Sequence, residues 1–104
     1  MIVVTSSTIA GKRIRKTLGL VKGNTIRARH VGKDILAGLK NVFGGEIEEY
    51  TKLMAEAREQ ALDRMIALAQ KRGANAIIDV RFATSYIMGA ASEILAYGTA
   101  VVAE

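Results

Sequence analysis

Arginines near the N-terminus are the first residues whose types and spacing could do chemistry. Four of the five residues in KRIRK, 12–16, are cationic, and Arg27 and Arg29 follow in a similar alternation. Residues 1–33 hold eight of the 15 lysines and arginines and none of the 10 acids. Such an asymmetry creates a field that attracts anions. A sheet face carrying Arg13, Arg15, Arg27 and Arg29 is therefore a candidate anion-binding or subunit-contact face; the alternative is a solvated face kept soluble by its charge.

A second set of side chains could hold a metal ion. His30 and Asp34 lie four residues apart at a predicted strand-to-helix junction, and Asp79 and Glu93 follow on predicted strands. Imidazole and carboxylate groups are hard or borderline metal ligands. Two ligands from one chain make a weak site, which a symmetric oligomer could complete. The alternative readings are a helix-start Asp34 beside a surface histidine, and a structural pair of Asp79 with Arg81 on one strand face.

The composition excludes several classes of site. There is no cysteine, so disulfides, thiolate metal sites and cysteine nucleophiles are excluded. The single histidine supports no Ser–His–acid triad, and neither a dinucleotide-binding nor a P-loop glycine motif is present. These features disfavour an enzyme, although a site shared between subunits would not be visible in one sequence. Any metal would be bound without thiolates.

Two further features limit the partners and the location. Residues 1–42 contain no aromatic side chain, so this region has no base-stacking platform. Nucleic-acid binding, if it occurs, would use the duplex backbone and be salt-sensitive. No signal peptide is visible, and the uncharged run at 84–92 is far shorter than the ~20 residues of a membrane span. We expect a cytoplasmic protein with no membrane contact.

The chain length indicates one domain that spans residues 1–104. At 104 residues it is a single-domain size, and it has no proline and no linker-like stretch. Half of its residues are hydrophobic. This is a high fraction for so small a protein, so we expect apolar surface that a partner chain covers.

The elements that would position the arginines are predicted to be strands. The run IVVT at 2–5 is typical of a strand. Residues 12–30 read as a β-hairpin with its turn at KGN, 22–24, because Gly23 and Asn24 tolerate positive φ. In that register the apolar Ile14, Leu18 and Leu20 share one face with Ile26 and Ala28. The four arginines then lie together on the opposite face.

Two helices are predicted after the hairpin. Val31, Ile35, Leu39 and Val42 recur at helical spacing and indicate a short helix at 32–43, ended by Gly44 and Gly45. A longer apolar stripe predicts a helix over 46–72. Acidic residues at its start and basic residues at its end suit the helix dipole. Gly73 fits the position just past the end, where positive φ is usual.

The last third of the chain is predicted to form two strands. In ANAIIDVRFA, 74–83, alternation places Ile78, Val80 and Phe82 on one face and Ile77, Asp79 and Arg81 on the other. Residues 84–92 could be strand, loop or both. Residues 93–103 form a final strand with Gly98 as a bulge or close-approach point. The element order indicates an α+β fold, with helices on one face of a mainly antiparallel sheet.

Several short motifs, in their order and spacing, give the chain a family resemblance. They are Gly11, Gly19 and Gly23; Gly44-Gly45 followed by Tyr50; Ala57-Arg58 with Ala61; GANAII from Gly73; and GTAV from Gly98. Together they resemble the YbjQ-like family of small bacterial and archaeal proteins, over nearly the whole chain. GANAII and GTAV in this arrangement are fairly specific, whereas each alone is weak.

The resemblance implies a compact α+β subunit, shaped like a dodecin subunit, that assembles into a ring-like homo-oligomer, a pentamer. The family carries a heavy-metal-binding label and no established activity, and no ligand motif carries over to this chain. Six residues carry over as fold determinants: Gly44, Gly45, Gly73, Asn75, Gly98 and Thr99. A ring would bring copies of the arginine face together and so favour a small anionic ligand.

Overall fold

The described part of the chain forms a four-stranded sheet and a long helix. The computed structural model describes residues 1–27, 45–88 and 91–104. Its elements are β1 (Ile2–Val3), β2 (Ile14–Arg27), α1 (Gly45–Lys71), β3 (Ala76–Met88) and β4 (Ala91–Ala103). The strand order is β1-β3-β4-β2; β1 is parallel to β3, and the other neighbours are antiparallel. The predicted α+β class is confirmed, with a mixed sheet. The predicted helix at 32–43 falls outside the described residues.

Helix α1 lies within one residue of its predicted boundaries. Both its buried apolar stripe and the glycine that ends it, Gly73, are as predicted. Ala57, Ala61, Met65 and Ala69, spaced four apart, are all fully buried. Gly73 lies past the end with a φ of 86°. The amide of Ala74 then donates to the carbonyl of Ala69 at 3.0 Å. This hydrogen bond is the one a Schellman motif makes, and it ends the helix.

Strand β2 is continuous, so the predicted hairpin over 12–30 with a turn at 22–24 is wrong. The strand pairs with β4 as far as its last residue, with Gly23 opposite Ala96 and Arg27 opposite Ser92. Gly23 is buried beneath α1. A Cβ atom built on it would collide with the backbone of Ala61 and Met65. The glycine therefore serves a close helix–strand contact and not a turn.

A bulge in β3 makes the predicted face assignment wrong there. The register with β4 shifts between Ile78 and Arg81, and Asp79 has a φ of 53°. The inserted residue breaks the two-residue alternation. As a result Ile77 and Val80 both join the core that includes the α1 stripe, whereas Ile78 belongs to a second cluster.

Gly98 lies in β4 opposite this bulge, in agreement with its prediction as a close-approach point. Its neighbours pair across the bulge, Thr99 with Ile78 and Tyr97 with Arg81. A Cβ on Gly98 would lie 2.8 Å from Cγ2 of Ile77 and 3.0 Å from the carbonyl oxygen of Ile78. A side chain larger than hydrogen would push β3 and β4 apart.

The helix covers only part of the sheet. It packs chiefly on β2 and β4 and least on β3. The molecule measures 55 × 22 × 17 Å, with a radius of gyration of 17.3 Å. A compact domain of this length would have a radius of gyration of about 13 Å. The molecule is therefore elongated.

Candidate arginine site

Arginines that were predicted to share one face lie at opposite ends of β2. Arg13 precedes the strand, Arg15 is near its start and Arg27 is its last residue. Twelve extended residues separate Arg15 from Arg27 by roughly 40 Å. Arg29 falls outside the described residues. The predicted grouping of Arg27 with Arg13 and Arg15 on one face is therefore wrong. Whether these arginines bind an anion stays a prediction.

Arg13 and Arg27 have different surroundings. Nη2 of Arg13 forms an exposed ion pair with Oε1 of Glu104 at 2.5 Å. Arg27 is half-buried beside α1, and its Nη2 donates to Oε1 of Gln60 at 2.9 Å. The Nε of Arg27 is buried and has no hydrogen-bond partner among the residues that the structure describes. A buried donor left without an acceptor costs about 1–3 kcal/mol. Arg27 is therefore a candidate to bind a hydrogen-bond acceptor from outside the described residues.

Arg64 of α1 and Arg72, one residue past its end, bind carbonyls of β2, which is an edge strand of the described sheet. Neither was predicted as a site residue. Nη1 of Arg64 donates to the carbonyl of Asn24, and Nη1 of Arg72 donates to the carbonyl of Leu20, both at 2.6 Å. Edge-strand carbonyls are open to pairing with another chain unless they are covered. The two carbonyls lie 40 and 52 residues away in the sequence, so no local pattern could have indicated these contacts.

Asp79 and Arg81 do not form the predicted pair. Oδ1 of Asp79 accepts a hydrogen bond from Oγ of Ser7 at 2.7 Å. Nη1 of Arg81 donates to the carbonyls of Thr5 at 2.8 Å and Val80 at 2.9 Å. The prediction failed because the bulge at Asp79 ends the regular alternation that would have put both side chains on one face.

The four metal candidates are not assembled within the described part of one subunit. Glu93 accepts from Nδ2 of Asn24 at 3.2 Å and lies opposite Ser85 of β3. Ser85 is six residues from Asp79, so roughly 20 Å of strand separates the two carboxylates. His30 and Asp34 lie outside the described residues. Within residues 1–27, 45–88 and 91–104, no group of three or more His, Cys, Asp or Glu side chains could hold a metal ion.

The side chain of Asn75, just before β3, hydrogen-bonds to the backbone of Ala103 as a neighbouring strand would. Its Nδ2 donates to the carbonyl of Ala103 at 2.7 Å, and its Oδ1 accepts from the amide of Ala103 at 2.8 Å. Of the other predicted fold determinants, Gly45 begins α1 and Thr99 lies in β4. Gly44 falls outside the described residues. No helix in the described ranges has both the length and the apolar character needed to cross a membrane.

Comparison with known proteins extends the likeness over the whole chain. The YbjQ family model, described as "Putative heavy-metal-binding", matches residues 1–104. A UPF0145 protein of Dehalococcoides mccartyi is 62% identical over 104 residues, covering 100% of both chains. A UPF0145 protein of the archaeon Methanosarcina acetivorans is 58% identical over 101 residues, covering 97% of this chain and 95% of the relative.

A solved structure shares the fold. It is a protein of unknown function from the DUF74 family of Pediococcus pentosaceus, with a TM-score of 0.62 and 16% sequence identity. The match covers 100% of this chain and 98% of that chain. Family model, relatives and fold agree, and the chain belongs to the YbjQ (UPF0145) family.

Proposed function

We propose that this protein is a non-catalytic, ring-forming homo-oligomer that binds a small anionic ligand. The resemblance favours a pentamer. Arg27 is the central ligand-binding residue in this proposal. The arginines at the other end of β2 contribute to the long-range field but not to the site.

The proposal of an anionic ligand rests on the Nε of Arg27, which has no hydrogen-bond partner among the described residues. A guanidinium group donates to oxyanions through two adjacent N–H groups, and charge-assisted hydrogen bonds of this kind are stronger than neutral ones. Gln60 holds the Nη2 end of the group and fixes its orientation. An oxyanion placed at Nε would satisfy a donor that is otherwise left unpaired at a cost in free energy.

The shape of the subunit supports assembly. Its accessible surface is 6778 Å², whereas a monomer of 11.2 kDa has about 5,700 Å² on average. The surplus of about 1,100 Å² exceeds the ~800 Å² that one partner contributes to a typical interface. Elongation and exposed apolar side chains together favour a subunit whose surface is completed by neighbours.

Titration with inorganic phosphate and sulfate, followed by calorimetry, tests the anion site. Arg27→Gln is expected to weaken binding at least tenfold, since it removes the charge and the Nε donor. Arg15→Gln is the matched control on the same strand, and it should leave affinity within about twofold. Equal affinities for wild type and Arg27→Gln would refute the site. A loss in both variants would point to the field of the whole N-terminal region instead.

The family description favours metal binding as a second candidate. Since the chain has no cysteine, a metal would be held by imidazole and carboxylate groups. The candidates are His30, Asp34, Asp79 and Glu93, contributed by neighbouring subunits. Native mass spectrometry of protein purified without chelators tests this candidate. A metal mass present in wild type and absent in His30→Ala would establish it, and protein free of metal after incubation with Zn²⁺ would refute it.

A further inference from the structure

A row of three side chains crosses the sheet and places a tyrosine between two cations. Tyr97 of β4 is directly opposite Lys22 of β2 and, on its other side, directly opposite Arg81 of β3. Directly opposed residues point to the same face of a sheet, with their Cβ atoms about 4.5–5.5 Å apart. We call Lys22, Tyr97 and Arg81 the Tyr97 row. Its aromatic ring therefore has a positive charge on each side.

The Tyr97 row lies on the face of the sheet that points away from α1. Ala96 and Ala100 of β4 belong to the core that contains the helix stripe, and strand alternation places Tyr97 on the opposite face. Lys22 likewise follows the buried Val21, which belongs to the same core. Lys22 is exposed and Tyr97 is half-buried. A ligand can therefore reach the row without displacing the helix.

Arg81 is held in place by the segment between β1 and β2. Its Nη1 donates to the carbonyls of Thr5 at 2.8 Å and Val80 at 2.9 Å. Both hydrogen bonds use this one nitrogen, so the guanidinium is fixed while its Nε and Nη2 have no partner in the described ranges. Adjacent N–H groups of this kind bind phosphate oxygens well. The exposed segment 5–8, TSST, adds hydroxyl groups beside the row.

Two acids on this side of the sheet do not cancel the charge of the row. Asp79, at the bulge of β3, accepts a hydrogen bond from Oγ of Ser7. Glu93 lies four residues from Tyr97 along β4, roughly 13 Å away, and accepts from Nδ2 of Asn24. The ring therefore has two cations as its direct cross-strand neighbours, and this arrangement attracts an anion that also carries an aromatic group.

We propose that the Tyr97 row binds one nucleotide of a single-stranded nucleic acid. The base stacks on the ring of Tyr97, as bases do on the aromatic residues of four-stranded RNA-binding sheets. The phosphates on the two sides of that nucleotide contact Lys22 and Arg81, which are roughly 10 Å apart across two strand spacings. A cation on each side of the ring favours a nucleotide within a strand over a free nucleotide, which carries its phosphate at one end.

The fold supplies the aromatic group that the basic N-terminal region lacks. Residues 1–42 contain no aromatic side chain, and the pairing of β2 with β4 is what brings Tyr97 beside Lys22. The site is also separate from the anion site at Arg27, which is hydrogen-bonded to Gln60 of α1. The two proposals therefore stand or fall independently.

Fluorescence anisotropy with a fluorescein-labelled RNA hexamer of adenylates tests the stacking. Tyr97→Leu removes the ring but keeps an apolar side chain, and it should weaken binding at least about fivefold, the smallest effect typical of one stacked base. Tyr97→Phe keeps the ring and should bind within about twofold of wild type. The matched control is Tyr86→Leu, since Tyr86 is an exposed tyrosine opposite the buried Ser92 and so on the helix side. It should bind as wild type does.

Salt dependence tests the phosphate contacts. For a single strand, the logarithm of the affinity falls with the logarithm of the salt concentration by about 0.7 per phosphate contact. Lys22→Gln should make this slope shallower by about 0.7. Lys52→Gln, an equal charge change at an exposed position of α1, should leave it unchanged. Because Lys22 is exposed, this comparison decides the proposal even if Tyr97→Leu does not fold, which circular dichroism checks.

Several results would overturn the inference. They are wild type that does not bind the hexamer at low salt, Tyr97→Leu that folds and binds within twofold of wild type, and Tyr97→Phe that loses as much affinity as Tyr97→Leu. Equal slopes for Lys22→Gln and Lys52→Gln would show attraction by net charge alone and would refute the row. Tighter binding of a duplex of the same length would refute it too, because paired bases do not offer their faces for stacking.

Discussion

Gly23→Ala perturbs a close contact, where α1 crosses β2. The added Cβ would meet the carbonyl oxygen of Ala61 and the amide nitrogen of Met65, both backbone atoms that no rotamer change can move. Ordinary contact requires the helix to withdraw by roughly 1 Å, and a gap of 0.5–1 Å forfeits about a quarter to a half of a dispersion contact. The fully buried stripe of α1 would lose such contacts along its length.

Overpacking of a core typically costs about 1–3 kcal/mol, and we expect Gly23→Ala to fall at the upper end, near 3 kcal/mol. For a domain of this size each 1 kcal/mol lowers Tm by about 4–8 °C, so the expected decrease is about 12–24 °C. Thermal melts at one fixed subunit concentration measure it, because oligomers melt in a concentration-dependent way.

The matched control for this experiment is Lys22→Ala, one residue away on the exposed side of the same strand. It should change stability by no more than about 0.5 kcal/mol. If Gly23→Ala melted within about 4 °C of wild type, less than ~1 kcal/mol would be involved. The helix would then not rest on Gly23, and the position of α1 over β2 would be refuted.

Three further substitutions test other parts of the fold by the same thermal melts. Asn75→Ala removes both side-chain hydrogen bonds to the backbone of Ala103 and should cost about 2 kcal/mol; no loss would show that water replaces them. Asp79→Val puts a β-branched residue at a φ of 53° and should cost at least ~1–2 kcal/mol, whereas Asp79→Asn should stay near wild type. Equal melting of the two Asp79 variants would argue against the bulge. Gly98→Val, which would press on Ile77, should destabilise by more than about 2 kcal/mol, and wild-type melting would contradict that contact.

Local patterns were enough to predict the long helix and the final strands. A stripe spaced by four residues and a terminal Gly73 act within one element, so α1 could be placed within one residue of its observed ends. Gly23 shows where prediction from neighbouring residues fails. Its neighbours fit a turn, but its role depends on a helix more than 30 residues away. The small Ala57 and Ala61 on that helix were a signal that some strand must come close.

The arginine site could be predicted only in part, for the same reason. The sequence identified Arg27, but its grouping with Arg13 and Arg15 depended on a hairpin that does not form. The Nε of Arg27 is buried, and its Nη2 is hydrogen-bonded to Gln60. Neither feature could be predicted from composition or residue spacing. Similarly, Asp79 and Arg81 were paired by alternation, which holds only where a strand is regular. The bulge lies opposite Gly98, where β3 and β4 come close together.

Native mass spectrometry of freshly purified, tag-free protein is the most direct test of the central claim, a homo-oligomer that holds a small anion. No metal is added and no ligand is stripped, so one spectrum reports both the subunit count and any retained mass. We expect a closed oligomer carrying a small anionic mass that is lost in Arg27→Gln. A single 11.2 kDa subunit, or an oligomer whose retained mass is unchanged in Arg27→Gln, would contradict it.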